Sequence, residues 1–430
     1  MIVQPRRVAV LIATTVAVLG IVAPANAAPV QPQIGWAVTE SVGGTPVPVE
    51  APPQTNSNPP RSDGRIGLAS TPEEDLKQEC RSQHAEQAST QQGWMADRYR
   101  RCWIGHRRVE LKCSGCSTYI ASVEFDYTLV GIAQNGTRQA DFTLTFDDWE
   151  ALGGAERETT PMRVSFSGCG SFVSCNPGLG EFSQPLGSWR TSPYFHVTMT
   201  SANQTGIGVE YLVGAMVNMS MAITPVTPNI DPWVDDNMTT GQVRFDSAGA
   251  RAGMHNGTVF SDFTPTFDLL RLAREDNNHE TMYKESIQHI DDALHNVART
   301  FPSFIGKSPP GEYKASLGAN QRPLHRLIDE TLRGKNRDHA GKVCVDVWGE
   351  GASNPNLNCD EYPFASTIEG AYTGSSASTG DPEGWRTWHG SARLIGEVDN
   401  QESGNLYLNI RFYQANRILD GDPFFVAIDR

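Results

Sequence analysis

The sequence predicts a multidomain α+β protein, because the spacing of its apolar residues changes along the chain. From Thr118 to about Phe267, apolar and polar residues alternate between Gly, Asn and Pro turns, as in an antiparallel sandwich. From Asp268 to about Thr300 the apolar residues recur at three- and four-residue steps, the period of an amphipathic helix. The hydroxyls, proline and acids of residues 70–74 mark the start of an earlier helix.

The composition excludes wholesale disorder and a long basic surface. Of the 430 residues, 39% are hydrophobic and 20% charged, which is enough to bury a sizeable core. The chain has 35 Lys and Arg against 49 Asp and Glu, a formal net charge of −14. Summed positive charge is what holds nucleic acid without sequence specificity, so any nucleic-acid chemistry in this chain must be local.

The first 27 residues have the three parts of a secretory signal peptide. Arg6 and Arg7 supply the positive start, residues 8–22 an almost unbroken apolar run, and residues 25–27 a small-residue cleavage site. The apolar run is shorter than the roughly 20 residues of a membrane-spanning helix. We therefore expect a secreted, extracellular protein with no membrane span in the mature chain.

The next segment, residues 28–65, is predicted to be a flexible leader. It is rich in Pro, Gln, Ser, Asn and Gly and has few large apolar residues, so it cannot bury enough surface to offset its ordering entropy. The periodicity then predicts a helical region at 66–110, a β-sandwich-like domain at 111–267, a helical connector at 268–309 and a C-terminal domain at 310–430.

The sequence of the β-domain contains no motif that indicates its function. We interpret it as a structural or surface-binding accessory domain. The alternative is glycan binding through Trp149, Trp189 or Trp233, although tryptophans in a β-domain more often belong to the core.

The helical connector contains three histidines, His279, His289 and His295, which we interpret as solvated helix residues. A metal site formed by His289 and His295 is disfavoured, because a spacing of six does not place two side chains on adjacent turns of one face.

Eight cysteines, all after the signal peptide, fit an oxidising compartment. We expect them to pair as neighbours in sequence, although on the order of a hundred connectivities are formally open. Cys113 and Cys116 also raise a zinc interpretation, but a zinc ribbon needs a second such pair at a suitable distance. The predicted pairs are Cys80 with Cys102, Cys113 with Cys116, Cys169 with Cys175, and Cys344 with Cys359.

The C-terminal domain holds the densest group of reactive side chains. One cluster contains Asp360 and Glu361, with Glu369 following, and another spans residues 399–405. Adjacent carboxylates on a strand point to opposite sides, so Asp360 and Glu361 are not by themselves the facing pair of a glycosidase. One of them can face a site while a neighbour holds the other; the alternative is a solvated turn.

Four ordered pieces of this domain resemble the bacterial NucA/NucB deoxyribonuclease family. Residues 359–371, with Asp-Glu-Tyr-Pro inside them, are similar to its Asp-Glu-Trp-Pro core. Residues 325–329 resemble its early His-Ile-x-Asp-Ala helix, and 338–340 its Gly-His-Ala before Val-Cys. Residues 399–404 resemble its Ser-Asp-Asn-Arg-Gly-Ala-Gly segment. The resemblance covers about residues 323–430 and does not extend to the β-domain.

The resemblance implies a secreted, metal-dependent DNA endonuclease of the ββα-metal type. Asp360 would take the position of the histidine base in many ββα-metal enzymes and activate the attacking water. Asn400 would offer a side-chain oxygen to one divalent ion, while Glu361 or Glu402 would position the water or the metal. Few, mostly oxygen ligands suit Mg²⁺ or Mn²⁺. The implied catalytic residues are Asp360, Glu361 and Glu402, and the implied metal ligands are Asn400 and Asp360.

Two features depart from the family pattern. Gln401 stands where the family has an arginine, so an expected phosphate contact is missing. Residues 372–389 form an insertion that is either a substrate-facing loop or a packed cap. The candidate replacements for the arginine are Arg386, Arg393 and Arg411, and the insertion contains Trp385, Trp388 and His389.

Local patterns complete the C-terminal domain. Residues 342–348 predict a strand, residues 406–413 a helix as the family implies, and residues 420–423 a turn into a final strand. We interpret His325 as a core residue on an apolar helix face and His339 as a residue that orients local structure.

The preferred function is hydrolysis of extracellular DNA with little sequence specificity, with Mg²⁺ or Mn²⁺ as cofactor. The alternative is a secreted cell-surface or glycan-binding β-domain protein with an inactive nuclease-like C-terminal domain, which the loss of arginine at Gln401 favours. A glycosidase that uses two of Asp360, Glu361, Glu369 and Glu402 is a third interpretation. A bound divalent cation reverses the local sign of charge, so an acidic chain is compatible with a nuclease.

Overall fold

A computed structural model describes residues 34–45, 72–114, 116–153, 159–249 and 255–429. The predicted signal peptide, residues 1–27, lies outside the described residues. The described chain is mixed α/β, with most of its strands before residue 268 and most of its helices after it. None of the helices in these ranges is long and apolar enough to cross a membrane.

The largest sheet has eight strands and belongs to the first half of the chain. These strands are β1 (Ile34–Val42), β2 (Trp94–Met95), β3 (Arg100–Cys113), β4 (Ala121–Ala133), β5 (Gln139–Gly153), β7 (Ser174–Asn176), β9 (Tyr194–Thr200) and β12 (Ile230–Asp231). Their order is β12-β1-β3-β4-β5-β9-β7, with β2 against β3. Neighbours are antiparallel, except that β1 runs parallel to β12.

Two smaller sheets complete the β-domain. The first contains β6 (Pro161–Phe166), β8 (Glu181–Pro185), β11 (Met219–Ile223) and β13 (Trp233–Asp235), in the order β13-β11-β6-β8. The second contains β10 (Val213–Met216), β14 (Gln242–Asp246) and β15 (Gly257–Phe260). One apolar core gathers buried residues from all three sheets, which is the layered packing expected of a sandwich-like domain.

The three tryptophans considered for glycan binding belong to this core. Trp149, Trp189 and Trp233 are all buried. Trp149 stacks on Phe125 with ring centroids 4.8 Å apart. These side chains are therefore not available to stack on a sugar, and the structural interpretation of the tryptophans holds.

The N-terminal region differs from the prediction in two ways. The predicted flexible leader contains β1, because Trp36 is buried and the strand pairs with β3 on one side and β12 on the other. Of the predicted helical region, 66–110, the described residues 72–110 are helical only in α1 (Pro72–Gln83) and α2 (Ala85–Ala88). From residue 100 onward the chain is β3, since its alternating burial and its ladder to β4 outweigh local helix signals.

The C-terminal region combines short sheets with helices. Its helices are α3 (Leu269–Glu275), α4 (Lys284–His295), α5 (Glu330–Trp348) and α6 (Glu397–Glu402), followed by a π-helix (Ser403–Gln414). Its strands are β16 (Thr266–Asp268), β17 (Leu324–His325), β18 (Leu357–Tyr362), β19 (Ser391–Gly396) and β20 (Pro423–Ala427). The sheets are β16-β20-β17 and β18-β19.

The antiparallel pair of β18 and β19, followed directly by α6 and the π-helix, gives the strand-strand-helix order that the resemblance implies. The helix expected after residue 406 is present as the π-helix, and the final strand is β20. The strand expected at 342–348 is wrong, because those residues end α5. Ala340, Val343 and Cys344 share a helical face and pack against Trp385 and Trp388.

The helices predicted as a connector pack into the same core as the C-terminal elements. Leu272 of α3 and Ile290 of α4 join Tyr362, Tyr407 and Phe424 in one apolar cluster. Helices α3 and α4 are therefore part of the structure that surrounds β18 and α6.

A buried ionic network joins the β-domain to the C-terminal region. Arg417 pairs with Asp246, and both side chains are 0% exposed. Arg244 reaches Asp422 at 2.7 Å, and Arg98 donates to the backbone of Arg417. Such desolvated pairs require good geometry, so they fix how the two regions dock.

All four predicted disulfides are present: Cys80–Cys102, Cys113–Cys116, Cys169–Cys175 and Cys344–Cys359. Because Cys113 bonds Cys116, the zinc interpretation is not supported. The Cys344–Cys359 bond ties α5 to β18 one residue before Asp360, and loop-closure entropy gives such a bond about 3 kcal/mol of stabilisation.

Candidate functional site

A cavity of about 220 Å³ lies between β18, α4, α5 and the start of the π-helix. Its wall is rich in oxygen and guanidinium groups, and it opens beside the two clusters that the sequence analysis singled out. The oxygen-bearing side chains are Ser286, Asp360, Glu361, Ser366, Asn400, Ser403, Asn405, Asn409 and Tyr413, and the guanidinium groups are Arg326, Arg333 and Arg337. The structure thus brings Asp360, Glu361 and Asn400 to one cavity, although they come from separate elements.

Asp360 is held by a histidine from outside the C-terminal sequence clusters. His289 of α4 is 0% exposed, and its Nδ1 lies 2.7 Å from Asp360 Oδ2. Its Nε2 lies 2.7 Å from Ser391 Oγ on β19. The Asp360 side chain itself is 14% exposed, so it faces the cavity with the imidazole behind it.

The interpretation of His289 as a solvated residue is wrong, because the helix presents it to β18 rather than to water. The sequence does contain a signal for the role of His289. The family pattern His-Ile-x-Asp-Ala, compared above with residues 325–329, is matched residue for residue at 289–293. His325 instead lies on β17, half-buried, with Nδ1 2.8 Å from Glu369 Oε1.

Glu361 also lines the cavity, although adjacent strand residues are expected to point to opposite sides. Its Oε1 accepts a hydrogen bond from the Ala365 backbone at 3.2 Å. Burial, with a further contribution from the charge of Asp360, raises the pKa of Glu361 to about 8, against the opposing effect of Arg337 and Arg333. Burial therefore favours the protonated form of Glu361 in the metal-free protein.

Asn400 reaches the cavity from α6, beside a buried carboxylate that does not line it. Asp399 accepts hydrogen bonds from the Glu285 backbone at 2.9 Å and from Ser286 Oγ at 2.6 Å. Burial raises the pKa of Asp399, opposed chiefly by the Ser286 hydrogen bond. Asp399 therefore anchors α6 to the start of α4 and leaves Asn400 to face the cavity.

Two other predicted acids lie elsewhere. Glu402 is exposed, and its Oε2 accepts from the Tyr283 hydroxyl at 3.0 Å, outside the cavity wall. Glu369 bonds His325. The structure does not bring these acids to Asp360, so a glycosidase pair that includes either of them receives no geometric support.

The three arginines considered as replacements at the Gln401 position all pair away from the cavity. Arg386 binds Asp346 and Glu383, Arg393 binds Asp292, and Arg411 binds Asp276. The cavity contains arginines that sequence reasoning missed.

Arg333 and Arg337 lie one helical turn apart on α5 and so share a face. Arg333 pairs with Glu330 at 2.5 Å. Arg337 is exposed and forms no ion pair within the described ranges. Two cationic groups therefore border the carboxylates. Their spacing of four residues, which places both on one helical face, is the sequence signal that could have found them.

The two tryptophans of the insertion at 372–389 are packed, as expected for a cap. Trp385 and Trp388 are buried against α5, and Trp388 Nε1 donates to the Glu369 backbone at 2.9 Å. His389 Nδ1 accepts from the Ser308 backbone at 2.9 Å. None of the three lines the cavity.

The donor chemistry of the cavity fits a hard divalent cation, since carboxylate and amide oxygens are the ligands that Mg²⁺ and Mn²⁺ prefer. Elsewhere in the described chain, the ligand atoms of Glu40, His106 and Glu124 lie within 4.8 Å of one another. Arg108 already pairs with Glu124 at 2.6 Å, and Asp126 with His106 at 2.8 Å. That group therefore belongs to the ion pairs of the β-domain surface.

Comparison with known families assigns the region that contains the cavity. The family model for Deoxyribonuclease NucA/NucB matches residues 314–427, which include α5, β18, β19 and α6 but not α4. No curated protein and no solved structure matches the chain. Residues 314–427 of this chain are therefore a NucA/NucB deoxyribonuclease domain.

Proposed function

We propose that the protein is a secreted, metal-dependent endonuclease that hydrolyses the phosphodiester bonds of extracellular DNA with little sequence specificity. The observation that carries this proposal is the convergence of Asp360, Asn400 and two α5 arginines on one cavity of the deoxyribonuclease domain.

Asp360 is the group best placed to take a proton from the attacking water. Its Oδ2 is engaged by His289, while its Oδ1 accepts no side-chain hydrogen bond among the described residues. An oriented carboxylate with one engaged and one open oxygen fits a general base. Glu361, whose protonated form is favoured by burial, fits a hydrogen-bond donor that positions water or a phosphate oxygen.

Asn400 would hold the divalent ion through its side-chain oxygen, with Asp360 as the neighbouring carboxylate. When bound, such an ion neutralises the charge that develops on the phosphate and its leaving oxygen. Because these donors are few, Mg²⁺ or Mn²⁺ with several retained waters suits the site better than a fully protein-enclosed ion.

Arg333 and Arg337 would contact the DNA phosphates in place of the arginine missing at Gln401. Guanidinium contacts to phosphate carry no direct sequence information, which accounts for low specificity. The net charge of −14 leaves no long basic track, so binding is expected to be weak and salt-sensitive.

Secretion is supported by the signal-peptide pattern of residues 1–27 and by four disulfides, which form and persist in oxidising compartments. The β-domain is an accessory domain in this proposal.

The test is digestion of supercoiled plasmid by the purified full chain with Mg²⁺ or Mn²⁺, in the presence and absence of EDTA. We expect nicked and linear products that disappear with EDTA. Intact plasmid across a panel of divalent ions, together with retention on cell-wall material, would instead favour the surface-binding alternative. Cleavage that persists in EDTA would contradict metal dependence.

A further inference from the structure

We propose that α4 is the element that positions the catalytic groups, with His289 as a positioning residue for Asp360, although this helix lies outside the residues matched by the family model. The inference rests on the proposed function. It assigns a role to the helix that carries the His-Ile-x-Asp-Ala pattern, upstream of the residues that the family model matches.

The first step is the direction of the hydrogen bonds at His289. An ionised carboxylate only accepts, so the Nδ1 that lies 2.7 Å from Asp360 carries the proton. Nε2 then faces the Ser391 hydroxyl, which donates when the imidazole is neutral. The ring is thus fixed at both nitrogens, and it fixes one of the two oxygens of Asp360.

The second step is that the same helix holds the other side of the cavity. Ser286 donates to Asp399, the residue before Asn400, through Oγ at 2.6 Å. Ser286 and His289 are three residues apart and so lie on one face of α4. One helical face therefore sets the position of β18 through Asp360 and of α6 through Asp399.

The third step is that α4 is itself rigidly held. Ile290, Ala293 and Leu294 are buried in the C-terminal core. On the polar side, Asp292 pairs with Arg393 of β19 at 2.8 Å. A helix fixed on both sides can define the separation of two catalytic groups, whereas a loosely attached helix cannot.

The role of His289 predicts an effect on the rate of turnover. Removal of the His289 contact frees the Asp360 carboxylate to rotate but leaves Arg333 and Arg337 in place, so turnover should suffer more than DNA binding.

The experiment compares His289→Ala, His289→Asn and His289→Gln in the full chain, assayed for kcat and KM on duplex DNA with Mg²⁺. We expect His289→Ala to lower kcat by about 10- to 100-fold with KM changed by less than about threefold. The Asn variant places an amide N–H near the position of Nδ1, so it should recover more activity than the Gln variant.

His295→Ala is the matched control. It lies on the same helix, with its side chain 43% exposed and paired with Asp291 and Glu312. Its kcat should stay within about twofold of wild type, since exposed pairs contribute little. Thermal unfolding of every variant shows whether the fold is kept, and if His289→Ala does not fold, the Asn and Gln pair decides the question.

A wild-type kcat in His289→Ala, or equal losses in the Asn and Gln variants, would overturn the positioning role while leaving the proposed function standing. A wild-type protein that leaves DNA intact with every divalent ion would overturn the proposed function and this inference together.

Discussion

Carboxylates on the β-domain sheet and carboxylates around the C-terminal cavity are held in different ways. On the sheet, Asp126 pairs with Arg81 at 3.1 Å as well as with His106 at 2.8 Å, and neighbouring acids have lysine or arginine partners. At the cavity, Asp360 is held by a histidine, and Asp399 by a hydroxyl and backbone N–H groups. Glu361 accepts from the Ala365 backbone and forms no ion pair within the described part of the chain, although Arg333 and Arg337 line the same cavity.

The cavity carboxylates lack the directly paired lysine or arginine that neutralises the carboxylates of the sheet. An exposed ion pair is locally neutral and stabilises a protein by about 0–1 kcal/mol. Burial of a carboxylate without a cation is costly, and it raises the pKa of Glu361 and Asp399. A divalent ion at the cavity would supply the charge that arginines supply on the sheet.

Asp360→Asn should have the largest effect of any change in this comparison. Loss of the base should lower the rate of DNA cleavage by about 1,000-fold or more, as for the loss of an activating group in other hydrolases. Asp126→Asn on the sheet is the control, and its rate should stay near wild type. Equal rates for the two variants would break the distinction between the two sets of acids.

Arg417→Met tests the boundary between the two regions. It removes the closest cation from buried Asp246 and leaves Arg244, whose Nε lies 3.8 Å from Asp246 Oδ2, as the nearest remaining ion-pair partner. The free energy of unfolding in urea should therefore fall by about 3 kcal/mol, the lower end for a broken buried pair. Arg163→Met, which removes an exposed pair with Glu181, should cost under about 1 kcal/mol. A loss below about 1 kcal/mol for Arg417→Met would mean that the interface pair is not desolvated as described.

The double variant Arg333→Gln and Arg337→Gln tests whether the two α5 arginines contact DNA phosphates. We expect KM for DNA to rise by about tenfold and the slope of log affinity against log salt to fall by about 2, one for each lost phosphate contact. Arg386→Gln, an exposed arginine paired with Asp346, serves as the control. An unchanged salt slope would remove both α5 arginines from the DNA contact.

The pH dependence of His325→Gln is the smallest expected effect. The hydrogen bond from His325 to Glu369 raises the pKa of the histidine in the folded state. Its stabilising contribution is therefore complete below about pH 6.5, the ordinary pKa, and is lost as pH rises through the higher folded value.

The wild-type advantage in unfolding free energy over this variant should thus be largest near pH 5.5 and shrink toward pH 9. It should stay below about 1 kcal/mol because the His325 side chain is 38% exposed. An advantage that grows with pH would contradict the assigned ion pair.

Features encoded by neighbours in sequence could be predicted, while those encoded by distant contacts could not. The disulfides and the alternating strands of the β-domain follow from local spacing, whereas the helix after Asn400 followed from the family resemblance. The burial of Trp36 depends on pairing with a strand 75 positions later, at Leu111. His289 likewise meets Asp360 across 71 positions, and no helical pattern states which face of α4 will contact β18.

The arginines that line the cavity were also missed by the sequence patterns, because they are distant in sequence from the acids. The missing arginine at Gln401 drew attention to arginines near it in sequence, but the helix α5 brings Arg333 and Arg337 to the cavity from well upstream. Sequence patterns therefore pointed to Asp360, Glu361 and Asn400, which the fold brings to one cavity, and to Glu402, which lies outside it. The partners of these groups come from distant parts of the chain.

The most direct test of the central claim is the Mg²⁺ dependence of DNA cleavage by wild type, Asn400→Ala and Asp360→Asn. If Asn400 holds the ion and Asp360 activates water, Asn400→Ala should raise the half-saturating Mg²⁺ concentration by about tenfold or more. Asp360→Asn should chiefly lower the maximal rate. An Mg²⁺ dependence identical to wild type in Asn400→Ala, or wild-type cleavage in EDTA, would contradict the account.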